Sequence, residues 1–174
     1  ITDVIYEKMP YYAYSSLKKE QQKMMRERGW TKGSQKVNRF LFRLVNRVQP
    51  DTIIEVGRPS STTLYLQSAK PSASYLFASD LSELFLDADT SVDFLYLNDY
   101  RNPDLLEEVF RICAHRTTSK SVFVVHGICY SKEMKTLWKK LQTDERVGIT
   151  FDLYDLGLLF FDKTKIKQQY IVNF

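Results

Sequence analysis

His126 closes the apolar run Ser121-Val-Phe-Val-Val-His126, and Cys129 and Tyr130 follow just beyond it. An imidazole titrates near neutral pH, so a histidine at the end of a buried strand is a candidate general base. Tyr130 is the second candidate catalytic residue in this stretch. The competing reading is a histidine hydrogen-bonded at the rim of a sheet, since the sequence assigns it no partner acid. A second constellation is Gly57-Arg-Pro-Ser-Ser61, between a β-branched run and a helical one, where Arg58 could meet an anion at a helix N-terminus. His115, near a helix C-terminus, complements the helix dipole. Cys113 and Cys129 show neither CxxC spacing nor a histidine cluster, which argues against a zinc site or a disulfide framework. They read as packing residues suited to a reducing cytoplasm.

These groups need elements to position them. Ser15 or Ser16 can cap a helix running to Arg28, with Gly29 ending it, and Ser34 can cap a second helix to Val48. In the second helix Val37, Phe40, Leu41, Leu44, Val45 and Val48 recur at helical spacing, which predicts a stripe packed on a sheet. The period then changes. Thr52–Val56 reads as a strand and 60–69 as a helix; 73–79 and 92–98 read as strands, and 104–115 as a helix. Ser121–His126 is apolar throughout, as strands buried on both faces are, and 131–141 forms the next helix. Strands alternating with helices predict a Rossmann-like, mostly parallel sheet flanked by helices, with sites at the C-terminal ends of its strands. Residues 148–154, 157–161 and 169–174 are β-rich and separated by short turns, which predicts antiparallel pairing among them. The expected division is an N-terminal arm and basic helix over 1–33 and an α/β domain over 34–174.

Charge is uneven. The net charge is +4, yet 16–47 holds ten Lys or Arg against Glu20 and Glu27. Any attraction to a polyanion falls to those helices, with Lys36, Arg39, Arg43 and Arg47 on one face. No recognition-helix motif accompanies them, so nucleic acid is not the favoured partner. Tyr6, Tyr11, Tyr12, Tyr14 and Trp30 suggest an aromatic arm that docks to the body, to a second subunit in a homo-oligomer or to a protein partner. No stretch approaches the roughly 18 apolar residues of a membrane-spanning helix, and the residues from Ile1 onward do not have the pattern of a leader, so the expectation is a cytoplasmic protein without membrane attachment.

Thr52-Ile-Ile-Glu-Val-Gly57 followed by Thr62-Thr-Leu-Tyr-Leu66, then Val92-Asp-Phe-Leu-Tyr-Leu97, and finally Ser131-Lys-Glu-Met134 with Trp138 and Phe151–Phe161 together resemble class I S-adenosylmethionine (SAM)-dependent methyltransferases, a bacterial small-molecule branch among them. The resemblance covers about 37–174. It implies a seven-stranded, mostly parallel sheet with an antiparallel C-terminal hairpin. It also implies cofactor contacts at Glu55, Gly57, Ser60, Ser61, Asp80 and Asn98, with His126 or Tyr130 near the acceptor.

The sequence departs from that pattern. The glycine loop keeps only Gly57 and is one residue short. The twelve residues 80–91 leave no room for the helix and strand that the family places between its second and fourth strands, which predicts one strand fewer. Metal-dependent members place carboxylates where this chain has Asn98 and His126-Gly127, so no metal site is expected. The expectation drawn is a degenerate member that has lost catalysis and cofactor binding and acts as a binding or assembly module. Two alternatives stand beside it: an active SAM-dependent methyltransferase on a small molecule, and a polyanion-binding protein.

Overall fold

Ser34 accepts a hydrogen bond from the Val37 amide and starts α3 (Gln35–Val48), whose residues Val37, Phe40, Leu41, Leu44 and Val45 are all buried, as their spacing predicts. The computed structural model describes residues 1–7 and 12–174, which form two compact units. Residues 1–50 and 59–73 make the first.

Within that unit, α2 (Ala13–Arg28) ends at Gly29 with φ 64°, a left-handed cap that suits glycine. Its start lies earlier than Ser15 or Ser16. The cap position is Tyr12, which offers no side-chain bond, and Ser16 instead donates back to the Ala13 carbonyl at 3.0 Å. α1 (Thr2–Tyr6) has no sequence signature, because five residues are too short for periodicity and such a helix depends on tertiary contacts. Buried Arg43 supplies them, donating from Nε to the Val4 carbonyl at 2.8 Å and from Nη2 to the Ile5 carbonyl at 3.4 Å. The fourth helix, α4 (Ser61–Ala69), opens with a reciprocal cap between Ser60 and Thr63.

Residues 51–58 and 74–174 form the second unit, which holds β1 (Thr52–Val56), β2 (Ser74–Ala78), β3 (Phe94–Leu97), α5 (Pro103–Ala114), β4 (Val122–His126), α6 (Lys132–Thr143), β5 (Thr150–Asp152), β6 (Leu156–Phe160) and β7 (Gln169–Ile171). The seven strands lie in the order β2-β1-β3-β4-β6-β5-β7. The first four run parallel, and β6 is antiparallel to both β4 and β5. Ile54, Val56, Leu95, Leu97, Phe123 and Val125 project from one face and form a core with Leu106, Val109 and Phe110 of α5 and Met134, Leu137 and Trp138 of α6.

Two strand expectations need correction. β7 pairs parallel with β5, not antiparallel, because 161–168 carry the chain past the end of β5 to its far side. The strand count is also not reduced. Between β2 and β3 there is only a 3-10 turn at Leu81–Glu83, as the short spacing predicts, but β7 adds a strand at the opposite edge. Among the described residues no helix is long and apolar enough to cross a membrane.

Candidate functional site

Parallel register brings the C-terminal ends of four strands to one edge. Val56 is level with Ala78 and Leu97, and Leu97 with Val125, so Gly57, Ser79, Asn98 and His126 leave the sheet side by side. Two backbone bonds extend the ladder past the strands: Gly57 N to the Ala78 carbonyl at 3.0 Å, and Asn98 N to the Val56 carbonyl at 2.9 Å. Gly57 has φ 143°, a conformation that side chains disfavour. A methyl group there would lie 3.3 Å from the Asp99 amide nitrogen and 3.4 Å from the Asn98 Cβ.

Alternation puts Tyr96, Asn98 and His126 on the face opposite the α5 and α6 core. The Tyr96 hydroxyl donates to Asn98 Oδ1 at 3.1 Å, and His126 Nδ1 lies 2.8 Å from both of those oxygens. Burial pushes the His126 pKa below its ordinary value, against a smaller upward pull from the Asp155 carboxylate. Glu55, on the same face and fully buried, accepts a hydrogen bond from the Tyr75 hydroxyl.

Aromatic rings continue outward from the histidine. Tyr100 meets the His126 ring edge-on at 5.3 Å between centroids and the Tyr130 ring at 4.6 Å. Tyr100 and Tyr130 line a cleft of about 390 Å³ with Arg101, Pro103, Ser131 and Glu133. Tyr130 is exposed. Asp80, fully exposed after β2, accepts from the Ser82 amide at 2.8 Å and also from its hydroxyl. Those hydrogen bonds hold its carboxyl below the usual range.

Ser60 and Ser61 belong to the first unit and are buried there. The Ser61 hydroxyl accepts from the Gly33 amide at 2.8 Å and from Asn38 Nδ2 at 3.1 Å, while Thr62 donates to Asn38 Oδ1 at 2.6 Å. The first amides of α4 are also engaged: Ser61 N by the Thr31 carbonyl, Thr62 N by the Ser60 hydroxyl, and Thr63 N by the Ser60 carbonyl. That helix end therefore offers an anion little, whatever Arg58 does.

Of the basic face, Arg43 is buried against α1, and Arg39 lies over the Tyr14 ring at 5.1 Å. Tyr14 itself packs on Phe42 at 5.3 Å, whereas Tyr12 is wholly exposed; Tyr11 lies outside the described residues. Cys113 is buried with its thiol pushed up to about 12, and burial also raises Cys129, so neither is a ready nucleophile. Among the described residues no group of three His, Cys, Asp or Glu is placed to hold a metal ion.

Sequence reasoning missed Tyr96, Tyr100 and Tyr75. Tyr96 was findable, since it stands two residues before Asn98 on a strand and so shares its face. Tyr100 and Tyr75 carry no such signal.

No protein-family model matches the chain, and no curated protein matches its sequence. Solved structures do match its fold. The O-methyltransferase TomG from Streptomyces achromogenes, in complex with SAM, superposes with a TM-score of 0.66 at 15% identity, covering 92% of this chain and 95% of its own. An O-methyltransferase from Bacillus cereus, in complex with S-adenosylhomocysteine (SAH), gives 0.62 at 13% identity over 91% and 96%. A methyltransferase from Geobacter sulfurreducens gives 0.61 at 13% over 90% and 93%. The chain has the class I methyltransferase-like fold.

These likenesses correct the expectation of a module without catalysis or cofactor binding. Proteins that share the fold along nine-tenths of this chain include O-methyltransferases holding SAM or SAH. The physical reason lies at the sheet edge: shortening the segment after β2 leaves the aligned ends of β1 to β4 intact.

Proposed function

We propose that the protein is a SAM-dependent O-methyltransferase acting on a small molecule. The observation that carries this reading is the alignment of Gly57, Ser79, Asn98 and His126 along the C-terminal edge of a sheet whose fold is that of O-methyltransferases, with Asp80 one residue beyond Ser79. Ligands in open α/β sheets bind at that edge.

The residues present fit the cofactor. Gly57, at φ 143°, lets the end of β1 pass close to Asn98 and Asp99, which keeps the two strand ends together at the edge where the cofactor would lie. Asp80 offers an exposed, ionised carboxylate to vicinal hydroxyls, already oriented by Ser82. SAM supplies an electrophilic methyl group on a sulfonium. For its part the chain must orient an acceptor hydroxyl and remove its proton, tasks assigned to the cleft lined by Tyr100 and Tyr130 and to His126, whose ring meets that of Tyr100. Neutral imidazole is the form such a base needs, and burial of His126 favours it.

The test is methyl transfer. Purified protein incubated with methyl-labelled SAM and a panel of hydroxylated small molecules should label at least one of them, with SAH released in equal amount. Folded protein that labels none across phenols, sugars and hydroxy acids would sink the reading.

A further inference from the structure

Three atoms meet in the Tyr96, Asn98 and His126 cluster, and their hydrogens can be counted. Asn98 Oδ1 has lone pairs only and can accept but not donate; the Tyr96 hydroxyl lies 3.1 Å from it. His126 Nδ1 nevertheless stands 2.8 Å from Oδ1. Were Nδ1 bare, two lone pairs would face each other at that distance. Nδ1 therefore carries a hydrogen, and in the neutral ring this leaves Nε2 with its lone pair.

We propose that Asn98 is a positioning residue which, with Tyr96 beside it, fixes His126 as the Nδ1–H tautomer, so that Nε2 is the atom that accepts the proton from the acceptor hydroxyl. This rests on the methyltransferase reading for its purpose but not for its geometry. The acceptor oxygen gives its proton to Nε2 and a lone pair to the methyl carbon, and the C–S bonding pair stays with sulfur. One positive charge thus passes from sulfonium to imidazolium and the atoms balance.

The arrangement explains why an amide suits position 98. A carboxylate there would also accept from Nδ1–H, but its charge would favour imidazolium and take away the free base near neutral pH. Among the described residues, the groups that face the ring include the Tyr96 and Tyr100 side chains and the Asp155 carboxylate, whose upward pull on the pKa is smaller than the effect of burial.

The chain has two histidines, so His115→Gln leaves His126 as the sole imidazole in a sample labelled with 15N-histidine. The 15N spectrum then reads the tautomer directly, without cofactor or acceptor. The expected result is a protonated Nδ1 and an unprotonated Nε2 at pH 8, with Nε2 taking up the proton on acidification. Asn98→Leu removes the acceptor that holds the Nδ1 hydrogen, so the spectrum should move toward the Nε2–H form. Asn98→Asp should keep the Nδ1–H form and raise the His126 pKa by about one unit or more. An Nε2–H ring in the parent protein, or an Asn98→Leu spectrum that does not change, overturns the proposal. Failure of methyl transfer with the tautomer as expected would count against the functional reading alone.

Discussion

The Gly127 backbone lies against the Tyr100 ring: a Cβ on Gly127 would sit 2.6 Å from the Tyr100 Cγ, and the glycine has φ 71°. The same ring touches His126 and Tyr130, so this glycine sets how closely the aromatic wall approaches the histidine. Gly127→Ala should cost about 2–4 kcal/mol, combining left-handed strain with overpacking. Urea denaturation of both proteins checks this, and an unchanged midpoint would mean that Tyr100 swings away freely.

Burial of a neutral imidazole gives stability a pH dependence. The folded His126 pKa is depressed, so on acidification the unfolded chain takes up its proton first, and stability falls as pH drops from about 6.5 toward the folded value. His126→Gln should flatten that part of the curve while leaving the acid limb due to carboxylates. Parallel curves for the two proteins between pH 7 and 5 would contradict it.

Arg43 ties α1 to α3 through two carbonyls. Arg43→Leu should cost about 1–3 kcal/mol and expose residues 1–7 to proteolysis before the rest of the chain. Lysine has no planar fork and should rescue only partly. Equal protease resistance in all three proteins would show that α1 holds its place without these bonds.

Gly157 faces Trp138, where an added Cβ would lie 2.5 Å from two carbons of the indole. Gly157→Ala should cost about 1–3 kcal/mol on its own. In a double-mutant cycle with Trp138→Leu, which removes the far ring, the penalty should shrink, and strict additivity would deny the contact.

Much of this architecture is legible in the sequence. The strand runs of 52–56 and 121–126, the stripe of α3 and the cap at Ser34 are local signals, set by burial period and by short-range hydrogen bonds. The parallel pairing of β7 with β5 is not legible locally, because it depends on a crossing that no local pattern encodes. The site divides along the same line. His126 and Asn98 stand out as polar residues ending apolar strands, but that they share one hydrogen-bonded triangle with Tyr96 follows from register between strands 28 residues apart. Ser60 and Ser61 look like loop ligands in sequence; their hydroxyls cap α4 and bind Gly33 and Asn38, which only the fold reveals. The short glycine loop reads as loss of function in sequence, whereas the sheet edge it leaves keeps its alignment.

Calorimetric titration with SAH tests the central claim most directly, since it requires no acceptor. Micromolar binding by the parent protein is predicted, weakened about tenfold or more by Asp80→Asn, which removes a charged acceptor without disturbing the core. No heat and no thermal stabilisation at millimolar SAH, from protein shown to be folded, would contradict it.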